Sequence, residues 1–155
     1  MNRLVKIAQL AAPRADIQYR QAAYGSRDIR RFLRDVIAMA NTAIEGPRFI
    51  VIGLNFDDKG RKQLHSVPAD DFSGKPSYAS LVMDFIEPQI RVRYEEVTVE
   101  GQRLGIFEIP HCSDKPYMMR IDHSETLRRG ATRAEINWAV IFFASTREIV
   151  LRSFA

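Results

Sequence analysis

The residues from Ser26 to Asn55, SRDIRRFLRDVIAMANTAIEGPRFIVIGLN, constrain what this chain can fold into more than any other stretch. They read as one amphipathic helix, a tight turn and one buried strand. Ser26 is placed to cap the helix, its hydroxyl accepting from backbone N–H groups two or three residues on. Asp28 then falls in the first turn, where the helix dipole favours an anion. Ile29, Phe32, Leu33, Val36, Ile37 and Ala40 repeat at the spacing of a helix face turned toward a core. Arg27, Arg31 and Arg34 fall on the opposite side, with Asn41 near Arg34 and Arg30 at the flank. Gly46-Pro47 stops the helix. Phe49 to Leu54, FIVIGL, is a continuous apolar run, as expected of a central strand covered on both faces. Gly53 inside that run points to a bulge or to close backbone approach.

The chain has 155 residues, the length of one domain, and enough apolar content for a core without covalent staples. A single cysteine, Cys112, excludes an internal disulfide framework and suits a reducing compartment. No apolar run approaches the roughly 20 residues of a membrane span. The start, MNRLVKIAQLAAPRAD, has some features of a signal peptide, but Lys6 and Gln9 interrupt its apolar part. It reads instead as a short helix with Leu4, Ile7, Ala8 and Ala11 on one face. A cytoplasmic protein with no membrane contact is expected.

Net charge is a mild +4, and its distribution says more. Residues 1–48 carry nine Lys/Arg, eight of them arginine, against four acids. Arginine favours bidentate contact with phosphate and carboxylate. A second basic cluster comprises Arg120, Arg128, Arg129 and Arg133. For any one of these arginines a solvated surface is the plainer role.

Taken in order, residues 2–12 form a helix ended near Pro13, and Ile17 and Tyr19 alternate with polar neighbours as in a short strand. After the central helix and strand, NFDDKGRK (55–62) is a turn and residues 63–67 pair back. Pro68 to Lys75 is a loop. Pro76 at the first helical position opens a helix bearing Tyr78, Leu81, Val82, Phe85 and Ile86, ended by Pro88. Residues 90–99 alternate with a phase shift at Glu95-Glu96, which implies a bulge or a change of face. Glu100-Gly101 is a hairpin turn, and residues 102–109 return with Leu104, Ile106 and Phe107 buried. Residues 116–121 and 126–129 read as strands. Thr132 to Glu135 is a capping box opening a last helix. This order argues an α+β, two-layer sandwich: a mixed β-sheet with packed helices. It forms a single domain over residues 1–155, with 1–15 an N-terminal helical extension and 133–155 a C-terminal helix and tail.

DVIAMANT (35–42), FIVIGLN (49–55), IEPQI (86–90), KPYMMR (115–120) and LRRGATR (127–133) occur in that sequence. Together they resemble the Schlafen-type AlbA-like domain, over roughly residues 16–140. The resemblance implies the nucleic-acid-binding domain of a bacterial-type transcriptional regulator or defence protein, binding DNA or RNA through a basic surface. Arg27, Arg31, Arg34, Asn41, Lys115, Tyr117, Arg120, Arg128, Arg129 and Arg133 are the candidate contacts. Asn41 has a structural alternative, ordering the end of its helix, and Gly130 is placed to supply positive φ. Tyr117 has buried packing as its alternative to base stacking.

Ribonucleases of the Schlafen group use two glutamates before the central helix and an aspartate after the strand. Here Gln18 and Asn55 occupy two of those places, and the other glutamate is absent. Asp16, Asp57 and Asp58 are carboxylates that could supply metal-assisted cleavage, so a metal-dependent nuclease stays the alternative function. With Gln18 and Asn55 in those places a binding module is expected over an enzyme, with no catalytic residues, metal ligands or cofactors assigned. His65, His111, Cys112 and His123 lack zinc-ligand spacing, and Cys112 reads as an ordinary thiol. Trp138 and Phe142 on the last helix leave a homo-oligomer or a protein-interaction role open.

Overall fold

A computed structural model describes residues 2–68, 77–123, 128–130 and 132. Pro76, the capping box beyond Thr132, Arg133, Trp138 and Phe142 lie outside the described residues. Three helices and eight strands are described: α1 (Arg3–Gln9), β1 (Ile17–Arg20), α2 (Ile29–Asn41), β2 (Arg48–Ile52), β3 (Leu54–Phe56), β4 (Lys62–Leu64), α3 (Tyr78–Phe85), β5 (Ile86–Glu87), β6 (Arg93–Val99), β7 (Gln102–Ile109) and β8 (Met118–Met119). The main sheet has the order β1-β2-β7-β6. β1 and β2 run parallel and the other pairs antiparallel, so the sheet is mixed.

The period-2 alternation of β2 explains how both its faces are covered. Ile50 and Ile52 join Phe32, Leu33, Ile37, Leu81 and Phe107 in a core under α2 and α3. Phe49 and Val51 join Leu4, Ala8, Val99, Leu104 and Ile106 in a second core under α1. The fold is thus α+β, with α2 and α3 on one face of a mixed sheet and α1 packed on the other. The apolar stripe of α2 is buried as expected, from Phe32 to Ala40.

Several local expectations change. Ser26 does not cap α2. Asp28 is the N-cap residue, and its carboxylate accepts from the Gly25 N–H at 3.2 Å, closing a turn before the helix begins. α2 ends at Asn41, before Gly46-Pro47. Ser77 caps α3, its hydroxyl accepting from Ser80 N–H at 3.2 Å. The strand β6 keeps an unbroken register with β7 through Glu95-Glu96, so there is no bulge. The phase shift is a change of face: Tyr94 packs against the α2–α3 core, whereas Val97 and Val99 enter the α1 core. Residues 116–121 contribute only two residues to a strand, β8.

Gly53 makes the close approach that its position suggests. It sits at φ +88° between β2 and β3, and a Cβ there would lie 2.5 Å from the His65 carbonyl. The β6–β7 hairpin closes through Glu100 at φ 51° and Gly101 at φ 75°, the left-handed pair that matches strand twist in a two-residue turn.

Candidate nucleic-acid interface

Arg27 lies in the turn before α2 and not on the helix; it and Arg31 are exposed, and Arg34 is half-buried. One polar residue of this helix points inward. Asp35 is only 6% exposed. A buried carboxylate needs partners, and the chain supplies two from the region of β1. Arg20 Nη1 donates to Asp35 Oδ2 at 3.0 Å, and the Tyr24 hydroxyl donates to the same oxygen at 2.6 Å. The Arg20 guanidinium also lies over the Tyr24 ring, 4.3 Å from its centroid. Burial first, and then the Asp35 charge, push the Tyr24 hydroxyl far above its ordinary value.

The other end of α2 is held by a second set of contacts. Asn41 donates from Nδ2 to the Tyr117 carbonyl at 2.8 Å and accepts at Oδ1 from the Tyr117 N–H at 2.7 Å. Its amide therefore mimics a strand partner for the segment after β7. Tyr117 is 3% exposed, so its ring packs in the core and is closed to a stacking base. Lys115 Nζ donates to the Thr42 carbonyl at 2.7 Å, at the C-terminal end of α2 where a cation is favoured. The turn between α2 and β2 wraps a fully buried arginine. Arg48 donates to the carbonyls of Gly46, Thr42 and Ile44 at 2.6, 3.0 and 2.7 Å. Across the same turn, Gly46 N–H donates to His111 Nδ1 at 3.0 Å. Cys112 is buried beside it, and burial raises its thiol.

The segment 115–123 runs back along α2. It starts at the helix C-terminus with Lys115 and Tyr117. It ends near the helix N-terminus, where burial and then the Arg30 charge depress His123. Between these points Arg120 donates twice to the Asp84 carbonyl on α3, at 3.2 and 2.9 Å. Arg129 N–H donates to Asp122 Oδ1 at 2.7 Å. Arg129 and Gly130 form a turn and not a strand, with Gly130 at φ +80° and its N–H on the Met119 carbonyl. Arg128 and Arg129 are exposed. The fold thus lays the segment 115–123 beside the helix that carries Arg30, Arg31 and Arg34, with Arg27 in the turn before it.

Two of the carboxylates considered for cleavage, Asp16 and Asp57, are engaged separately. Asp16 pairs with Arg14 at 2.6 Å. Asp57 accepts from the Lys59 and Arg61 N–H groups and from Arg61 Nε within its own turn, and these bonds lower its carboxyl. Asn55 Oδ1 meets His65 Nε2 at 2.8 Å. Among the described residues, no three His, Cys, Asp or Glu side chains gather where one metal ion could sit. Also among them, no helix is long and apolar enough to cross a membrane.

Sequence reasoning missed Arg20, Tyr24 and Arg48. The signal for the first two was an acid, Asp35, inside the apolar pattern of α2.

The family model Schlafen, AlbA_2 matches residues 14–137. This chain belongs to the Schlafen AlbA_2 family. Its fold is similar to the N-terminal domain of a RecG-related protein of Nitrosomonas europaea named for ATP-dependent DNA helicases. That solution structure has a TM-score of 0.54 and 20% identity, covering 83% of this chain and 87% of that one. A crystal structure of a Corynebacterium diphtheriae protein is similar at TM-score 0.51 and 16% identity. The match covers 75% of this chain and only 22% of that one, so the AlbA_2 chain spans a small part of the larger protein. No curated protein matches the sequence.

Proposed function

We propose that this AlbA_2 domain binds nucleic acid, DNA or RNA, through backbone phosphates, as part of a transcriptional regulator or a defence protein. The observation that carries the reading is the segment 115–123 lying beside the arginine-bearing helix α2, with exposed Arg129 held to Asp122. Arg27, Arg31, Arg34, Arg128 and Arg129 are the contact residues, with Arg133 beside them in sequence. Lys115, Tyr117, Arg120 and Asn41 serve mainly to hold that segment in place, since each is occupied with backbone groups. A RecG-related protein carrying a similar N-terminal fold is consistent with work on nucleic acid. Phosphate contacts position without reading sequence, so modest sequence discrimination is expected.

Fluorescence anisotropy with labelled duplex DNA, single-stranded DNA and structured RNA, across a salt series, tests this. About four to six phosphate contacts on duplex DNA give a slope of log K against log salt of roughly −4 to −5. No binding to any probe at low salt overturns the reading. Loss of intact probe only when Mg²⁺ or Mn²⁺ is added would replace it with a nuclease.

A further inference from the structure

We propose that Arg20 and Arg34, arranged around Asp35, form a paired-guanidinium site for one backbone phosphate, with Asp35 and Tyr24 as positioning residues. This rests on the nucleic-acid reading above and adds to it a residue on the sheet. The cluster holds two guanidinium groups and one carboxylate, so it carries an excess positive charge. Asp35 Oδ2 is taken by Arg20 Nη1 and the Tyr24 hydroxyl. Arg34 Nε stands 3.9 Å from Asp35 Oδ1, too far for a hydrogen bond. The Nε atoms of Arg20 and Arg34 are both buried and donate to nothing. An unpaired buried N–H is unfavourable, and an incoming acceptor relieves it.

The excess charge selects an anion. The planar guanidinium fork suits phosphate oxygens better than a point cation does. Access lies on the Arg34 side. That side chain is 26% exposed against 15% for Arg20, and it stands one helical turn from exposed Arg31. Both guanidinium groups stand at the one Asp35 carboxylate, 3.0 and 3.9 Å from its oxygens, and Asp35 and the Tyr24 ring fix Arg20. The site prolongs the α2 arginine stripe onto the C-terminal end of β1.

The decisive variant is the double exchange Arg20→Gln with Asp35→Asn in the full chain. It removes one positive and one negative charge, so net charge is unchanged. A bulk-charge account then predicts an unchanged salt slope. A phosphate contact at Arg20 predicts a slope shallower by about 0.9 and weaker binding at every salt concentration. A variant that keeps the wild-type circular dichroism and slope, while Arg27→Gln and Arg31→Gln each lower theirs, overturns this site and leaves the binding reading intact. Should the double variant fail to fold, the wild-type protein decides. Its arginine Nε–H signals in ¹⁵N NMR are followed with oligonucleotide and with inorganic phosphate. Shifts of Arg20 and Arg34 with oligonucleotide support the site. Silence of both at saturation, or a response to inorganic phosphate alone, overturns it.

Discussion

Asn41 shows why the type of a side chain does not settle its role. A polar residue at the end of a basic helix invites a ligand role, yet both ends of its amide pair with the Tyr117 backbone, 76 residues away. It acts as a clamp between α2 and the basic segment. Asn41→Ala leaves a half-buried N–H and C=O without partners, so unfolding stability should drop by about 2–3 kcal/mol, read as the urea midpoint. Phosphate binding should weaken only as the segment loosens, leaving the salt slope at full binding unchanged. A shallower slope in a stably folded Asn41→Ala protein would make Asn41 a direct contact. Asp35 teaches the converse. It interrupts the pattern of a helix that is otherwise apolar inward, and such an acid signals a buried partner, which here is Arg20 with Tyr24.

At the scale of elements, α2 and β2 were legible because apolar periodicity dictates them: a stripe at helical spacing buries, and an uninterrupted apolar run sits mid-sheet. The turn joining them was not legible. Its geometry comes from Arg48, counted in the sequence as one more surface charge. The guanidinium instead draws in three carbonyls of residues 42–46, and this organises the chain after α2. Desolvating Arg48 is costly, but three bonds from a charged donor, each worth roughly 1.5–3 kcal/mol, offset it. Arg48→Met should therefore destabilise, by about 2 kcal/mol or more. Its first sign should be faster amide exchange at Gly46, whose N–H is held by His111. Unchanged exchange at Gly46 would mean that the turn is set by its own backbone. The two-residue length of β8 was equally illegible. Nothing local in PYMMRI says that Asn41 and the end of α3 will take the hydrogen bonds a longer strand would need.

For the whole molecule, the buried hydroxyls and thiol tie stability to alkaline pH. Tyr24 is raised far above 10, chiefly by burial and then by the Asp35 charge. Burial also raises Tyr19, Tyr117 and Cys112. Each group therefore holds its proton more tightly when folded. Above the unfolded values, near 9 for the thiol and 10 for the phenols, the unfolded chain binds fewer protons than the folded one, and stability falls as pH rises. Below pH 9 this contribution is fully present. On the acid side the sign reverses for His123, which is depressed when folded, so its contribution fades as pH drops below about 6.5. The urea midpoint should thus hold steady near neutrality and decline above about pH 9, each fully shifted group adding up to ~1.4 kcal/mol per pH unit. Tyr24→Phe separates the largest of these groups from the rest. It removes the hydrogen bond to Asp35 and so lowers the plateau, by about 1–2 kcal/mol, but it also removes a titrating group, so its alkaline decline should be shallower than wild type. Parallel declines in the two proteins would mean that Tyr24 titrates normally and that the Arg20–Tyr24–Asp35 cluster is open to water.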